Sequence, residues 1–267
     1  ELYLHITFYP RRSHKCMCDI NDDPELSTDA IENIAAELGI SLPDLGVMAE
    51  MAAETLADAD DLSLDTTLDP SLVDADRSKT YNIDGEYNAW ITRCHVTATD
   101  DGPLAGERVG VKDNLALAGY PMTCGSEALE EFEPEIDSTA VLRLLRAGAS
   151  VVGKTNMDAF AFGGTGDLQE FGSTLNPVDS DYLAGGSSSG SAAAVAARTC
   201  DIGLGTGQAG SARGPSAWCG CVGIKPTHGL IPYTGGFSTD RSLDHIGIIT
   251  RTVEMNARAL SVAAGPD

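Results

Sequence analysis

From residue 101 onward, short apolar runs alternate with helix-forming segments, and this order is what most restricts the fold. The segment "ERVGVKDN" (107–114) reads as a strand running into a polar turn. "DSTAVLRLLRAGA" (137–149) reads as an amphipathic helix with Gly148 at its end. "SVVGKT" (150–155) is strand-like, "SGSAAAVAART" (189–199) helical, and "CDIGLGT" (200–206) strand-like again. Elements of this length in this order predict βαβ units and an α/β fold with a central sheet covered by helices. No repeat of 20–50 residues interrupts the pattern.

The chain has 267 residues, enough for one large core with an appendage. Residues 1–18 hold Arg11, Arg12, His14 and Lys15 against Glu1 and are read as an irregular segment. Residues 19–100 are read as an acidic, mainly helical N-terminal layer. Within it, "SLPDLGVMAEMAAETLADAD" (41–60) places Ser41 as N-cap and Pro43 in the first turn. Leu45, Met48, Met51, Ala52 and Leu56 then recur at helical spacing, a packing face. Residues 101–267 form the third region.

Forty acidic against seventeen basic residues give a net charge of −23. Phosphates would be repelled, so direct nucleic-acid binding and binding to anionic membranes are disfavoured. The lysine-poor, acidic composition resembles that of proteins from salt-loving archaea, where concentrated salt screens self-repulsion. No run of eighteen apolar residues and no export signal is found, which predicts a cytoplasmic protein. The first residue is Glu rather than Met, which suggests a fragment. Seven cysteines include C-x-C pairs, Cys16 with Cys18 and Cys219 with Cys221, but no zinc-type spacing. Cys200, Cys219 and Cys221 sit among small apolar residues and read as packing groups. Neither a metal nor a disulfide framework is expected.

Two motifs suggest chemistry that their surroundings do not support. "GASVVGKT" (148–155) satisfies the P-loop pattern G-x-x-x-x-G-K-T. That pattern works as a loop between a strand and a helix, whereas here a helix precedes it and Ser150 to Val152 are strand-like. Within "GGSSSGSAAAVAA" (185–197), Gly186 to Gly190 fits the G-x-S-x-G nucleophile elbow, centred on Ser188. An elbow needs a later acid and histidine. His228 in "KPTHGL" and His245 in "SLDHIG" are the later histidines, and each also reads as a turn or core residue.

A different set explains more residues. Lys112 ends an apolar strand, where burial would lower its pKa and make it a usable base. Ser211 lies in "GTGQAGSARGP" (205–215), whose small residues let backbone N–H groups approach a substrate carbonyl. With a bridging serine from 187–189, these would form a relay without histidine.

The segments "LAGERVGVKDN" (104–114), "TCGSEALEEFEPEIDSTAVLRLLRAGASVVGKTNMDAF" (123–160), "GGSSSGSAAAVAA" and "GTGQAGSARGPSAWCGCVGIKPTHGLIPYTG" (205–235) together resemble the amidase signature family. The resemblance covers about 102–267 and implies a mixed central β-sheet flanked by helices, of which this chain holds the N-terminal part. It implies a Ser–cis-Ser–Lys triad: Lys112 as base, Ser187 as relay after a cis Gly186–Ser187 peptide, and Ser211 as nucleophile. The spacings, 75 and 24 residues, fit that layout. It further implies oxyanion binding by the backbone of Gln208, Ala209 and Gly210, with Gly185, Gly186 and Arg213 in support. The substrate class the resemblance implies is a small carboxamide, cleaved through an acyl-enzyme with no metal or organic cofactor.

Departures from the family accompany the match. Where the family has G-[SG]-D-x-G-G-S-x-R, this chain has "GTGQAGSAR" (205–213). Gly207 stands for the aspartate, so Arg213 is expected to lack its carboxylate partner. Ala209 stands for a glycine, adding a Cβ where a glycine-like backbone is expected. Ser189 also replaces a glycine. The chain stops just after the signature core, which predicts a fragment or truncated product. "GLIPYTGGFSTDRSLDHIGIITRTV" (229–253) points to a stand-alone acylamide amidohydrolase, with a homodimer allowed. The alternative is the glutaminase subunit of a tRNA-dependent amidotransferase, working with partner subunits. A third reading is a remnant without activity.

Overall fold

A computed structural model describes residues 75–79 and 87–266, all within one compact unit spanning Pro70–Asp267. The readings made for residues 1–18 and for the helix at 41–60 lie outside the described residues.

The strands are β1 (Asp76–Lys79), β2 (Trp90–Thr97), β3 (Arg108–Lys112), β4 (Ser150–Thr155), β5 (Ile202–Thr206), β6 (Val222–Ile224) and β7 (Ile246–Thr250). The helices are α1 (Thr139–Arg146), α2 (Ser189–Ala196), α3 (Arg213–Trp218) and α4 (Val253–Ala263). The sheet order is β1-β2-β4-β3-β5-β7-β6. Strands β4, β3 and β5 run parallel at its centre, and the remaining pairings are antiparallel. This is the mixed α/β sheet expected from the alternation of elements.

The local chemistry accounts for the elements. Ser138 caps α1, its hydroxyl accepting from the Val141 N–H at 3.4 Å. Val141, Leu144 and Leu145 of α1 are buried against Val109, Val111, Val151, Ile202 and Leu204. Just beyond the helix, Gly148 has φ +92°, and a Cβ there would lie 2.7 Å from the Asp101 carbonyl. The unit β3–α1–β4 is therefore a parallel crossover. Helix α4 packs on the same face through Ala259 and Ala263.

The opposite face carries α2 in a second cluster with Trp90, Val152, Cys200, Cys219 and Ile249. Burial pushes the Cys200 and Cys219 thiols up to about 12, so both pack as small apolar groups. Every residue of α2 from Ser189 to Val195 is buried, and none is larger than valine. The strand beneath alternates to match. Ile202 and Leu204 point to the first cluster, while Gly203 and Gly205 lie under α2. A Cβ on Gly205 would come within 2.9 Å of Ser188 Oγ, and one on Gly203 within 3.0 Å of the Ser191 carbonyl. The helix thus sits close enough for Ser191 Oγ to donate to the Leu204 carbonyl at 2.8 Å.

One finding differs from the sequence expectations. Strands β1 and β2 lie before residue 101, in the stretch read as mainly helical, and both join the sheet. Strand β2 is buried throughout from Trp90 to Thr92 and then alternates, with Cys94 and Val96 inward and Arg93, His95 and Thr97 outward. Its inward face holds Thr92 and Cys94, so the sequence shows little apolar periodicity. Arg77 of β1 also pairs with Asp137, just ahead of α1, at 2.5 Å. The P-loop match fails for the reason anticipated: Ser150–Thr155 is a central strand, not a phosphate loop.

Gly190 tests the packing of α2. Alanine there would normally favour the helix by about 1 kcal/mol. Its Cβ would meet the Ala89 carbonyl at 2.2 Å and the Asn156 nitrogen at 2.4 Å. Gly190→Ala is therefore expected to destabilise by about 1–3 kcal/mol in urea unfolding, opposite in sign to its propensity.

Candidate active site

The parallel strands β3, β4 and β5 end side by side at Lys112, Thr155 and Thr206. In open α/β sheets this carboxyl edge is where ligands are bound. The loop that leads into α2 lies across it. Lys112 is fully buried, and its Nζ donates to Ser187 Oγ at 2.8 Å and to the Thr206 carbonyl at 3.3 Å. The Gly186–Ser187 peptide is cis. Burial lowers the Lys112 pKa to about 7, against the opposing pull of the Asp158 charge.

Several buried groups shape this arrangement. Asp158 accepts from the Gly166 and Leu168 N–H groups at 3.2 and 3.0 Å, and its own N–H donates to the Ser187 carbonyl at 3.1 Å. A Cβ on Gly186 would fall 2.0 Å from Asp158 Oδ2, so only glycine fits before the cis bond. Gly185 has φ +78°, with Trp218 and Pro215 against it. Asn114 donates to Thr206 Oγ1 at 3.0 Å, fixing the end of β5 beside Lys112.

The three serines of the loop have separate surroundings. Ser188 Oγ donates to the Thr206 carbonyl at 3.1 Å and accepts from the Thr206 N–H at 3.3 Å. Its hydroxyl is committed to β5, which argues against the elbow reading. His245 instead meets Lys225 at 3.1 Å and the Leu243 carbonyl at 2.6 Å. Ser189 Oγ accepts from Thr174 at 3.1 Å. Of the three, Ser187 faces the lysine.

Ser211 lies in the loop after β5, 9% exposed, and its carbonyl accepts the Ser188 N–H at 3.1 Å. Among the described residues, its hydroxyl has no hydrogen-bond partner. The same holds for the backbone N–H groups of Gln208, Ala209, Gly210 and Ser211, so four donors stand free beside the nucleophile candidate. Ala209 is not among the residues with positive φ, so the expected need for a glycine-like backbone there is not met. Gly207, by contrast, is crowded: a Cβ would lie 3.0 Å from that of Ser211. Arg213 has no carboxylate partner among the described residues, and it donates to the Ala209 carbonyl at 2.6 Å. Its support of the loop comes through the backbone.

Lys154, the lysine of the false P-loop, is also fully buried. Its Nζ lies 2.8 Å from Asp113 Oδ1 and donates to the Pro121 carbonyl at 3.1 Å. Asp113 also accepts from the Thr123 N–H at 2.8 Å. This pair pins the loop after β3 over the sheet edge and leaves no free ammonium for a phosphate.

The sequence reading missed Asp158, Asn114, Thr206 and Asp244, whose carboxylate takes the Gln208 side chain. Asp158 stood in the matched segment "TNMDAF" (155–160), directly after β4, and an acid at a buried strand end was the available signal.

The comparisons with known proteins agree with this frame. Residues 88–267 match the Amidase family. The chain belongs to the amidase signature family. It is 50% identical over 180 residues to the A subunit of glutamyl-tRNA(Gln) amidotransferase from Halobacterium salinarum, covering 67% of this chain and 43% of that one. The protein of the same name from Haloarcula marismortui is 49% identical over 182 residues, covering 68% and 43%. Among solved structures, the A subunit of glutamyl-tRNA(Gln) amidotransferase from Thermotoga maritima superposes with a TM-score of 0.64 at 38% identity, covering 68% of this chain and 40% of that one. The peptide amidase from Stenotrophomonas maltophilia gives 0.59 at 39% identity, covering 62% and 35%. The chain spans less than half the length of these relatives. Among the described residues, no helix is long and apolar enough to cross a membrane.

The lowered Lys112 pKa has a consequence for stability. Between about pH 7 and 10.5 the unfolded chain carries a proton on this lysine that the folded chain does not. Stability from this group therefore rises with pH across that window and is lowest below it. Relative to a Lys112→Met variant, the parent is expected to gain stability as pH rises from 7 to 9 in urea unfolding. Parallel curves would show an ordinary lysine.

Proposed function

We propose that the site cleaves a carboxamide by acyl transfer, with Ser211 as nucleophile, Ser187 as proton relay and Lys112 as base. The observation that carries this reading is the Lys112–Ser187 hydrogen bond at 2.8 Å, made by a buried lysine whose pKa is lowered to about 7. A neutral amine can accept a proton from the Ser187 hydroxyl. Ser187 in turn takes one from Ser211 as its oxygen attacks the carbonyl carbon. The free N–H groups of residues 208–211 suit the oxyanion that forms. The relay returns the proton to the departing nitrogen as the C–N bond breaks. Water then attacks the ester, giving the acid and the free serine.

The finer reading is that this chain carries the signature core of an amidotransferase A subunit, releasing ammonia from glutamine. The names and identities of the haloarchaeal relatives support it, as does the charge of −23, suited to concentrated salt. Under this reading the partners are the other amidotransferase subunits, and nucleic acid is handled by them. Five described cysteines are free thiols, in keeping with a cytoplasmic setting.

A fluorophosphonate probe in concentrated salt tests the chemistry. Ser211 is expected to be labelled, Ser211→Ala to abolish labelling, and Ser187→Ala or Lys112→Ala to slow it by about 10²–10⁴-fold. The rate should rise with pH to half its maximum near pH 7, because Lys112 accepts a proton only when neutral. Full reactivity in Ser187→Ala with loss in Ser188→Ala would overturn the assignment. Ammonia release from glutamine only with partner subunits present distinguishes the amidotransferase reading from a stand-alone amidase.

A further inference from the structure

We propose that the side chain of Gln208, held by Asp244, is a positioning group for the nucleophile loop, taking over a task left open by Gly207 and by Arg213, which has no carboxylate partner among the described residues. The inference rests on the reading of Ser211 as nucleophile given above.

Residues 207–210 have little else to hold them. The Gly207 N–H donates to the His245 carbonyl at 2.9 Å, and the Gly210 carbonyl accepts from the Gly214 N–H at 2.7 Å at the start of α3. Arg213 donates to the Ala209 carbonyl from an exposed position, which leaves Gln208 itself without a backbone restraint among the described residues. The free N–H groups of 208–211 contribute no restraint. Gln208 supplies the missing anchor: its Nε2 donates to Asp244 Oδ1 at 2.5 Å. Asp244 is 4% exposed and is itself fixed through its other oxygen. Oδ2 accepts from Ser238 Oγ at 2.8 Å, from the Thr239 N–H at 3.0 Å and from the Asp240 N–H at 3.1 Å. The carboxylate thus joins the turn at 238–240 to the nucleophile loop, immediately before β7. A hydrogen bond to an ionised, buried acceptor is among the stronger non-covalent restraints on a loop. Gln208 touches no reacting atom through this contact; it acts by fixing the backbone on which Ser211 and the free N–H groups are carried.

The geometry makes a specific demand on chemistry, since position 208 must donate to a carboxylate. Gln208→Leu removes the donor. Gln208→Glu sets two carboxylates against each other. Combining Gln208→Glu with Asp244→Asn restores the bond in reverse. The amide nitrogen introduced at position 244 then donates to the carboxylate introduced at position 208, while the amide oxygen keeps the 238–240 turn.

The test measures fluorophosphonate labelling of Ser211 at pH 8 in concentrated salt, resolved into the saturating rate and the probe concentration at half-saturation. Folding of each variant is checked by urea unfolding. The saturating rate is expected to fall about tenfold in Gln208→Leu and further in Gln208→Glu, with half-saturation little changed. The double variant is expected to recover most of the loss relative to Gln208→Glu. Labelling of the parent with equal rates in folded Gln208→Leu and Gln208→Glu would overturn the positioning role while leaving the nucleophile standing. A folded double variant no faster than Gln208→Glu would overturn it as well. A parent that is not labelled at all removes the nucleophile, and this inference with it.

Discussion

The close seat of α2 on β5 is the constraint on which the rest of the site depends. Gly203 and Gly205 remove side chains from one face of the strand, and the glycine, serines and alanines of α2 keep those of the helix small. The backbones then approach until Ser188 and Ser191 bond directly to the strand carbonyls of Thr206 and Leu204. That approach brings Ser187 over the end of β3, where the fully buried Lys112 emerges. A larger residue at any of these positions would lift the helix and separate the lysine from its partner. Composition that resembles a flexible linker is here the condition for tight packing.

Burial and charge are balanced around Lys112. Its neighbour Lys154 keeps a carboxylate within 2.8 Å, whereas Lys112 bonds to a hydroxyl and a carbonyl. Two fully buried lysines at adjacent strand ends therefore serve opposite ends. One is neutralised by an ion pair and holds the loop after β3. The other has its pKa lowered to about 7 by desolvation, which suits it to the base role proposed for it. Asp158 acts on Lys112 as an unbonded charge and on the cis-serine loop as a hydrogen-bond acceptor, which links the lysine's pKa to the shape of that loop.

What was legible in the sequence follows from how local each signal is. The strands 108–112, 150–155 and 202–206 and the helices around 139–146 and 189–196 carry their periodicity or apolar runs within a few residues. Lys112, Ser187 and Ser211 stood in long motifs, so their neighbourhood could be read in advance. Strand β2 was missed because its inward face carries Thr92 and Cys94 among few strongly apolar residues, so its alternation is weak in the sequence. Asp158, Thr206 and Asp244 were missed because their roles arise only when distant loops meet. Asp244 lies 36 residues from Gln208, and no spacing rule connects them. The concern over Ala209 came from a family pattern, and the backbone there proves to be an ordinary one.

The central claim is that Lys112, bonded to Ser187, has its pKa lowered to about 7, so that a large neutral fraction exists near neutral pH. It is tested most directly by following the Cε resonance of Lys112 with pH in protein carrying 13C-lysine, assigned by its absence in Lys112→Met. The chain has only five lysines, so the signals can be separated. A titration midpoint near pH 7 is expected. A midpoint near the ordinary lysine value of about 10.4 would contradict the account.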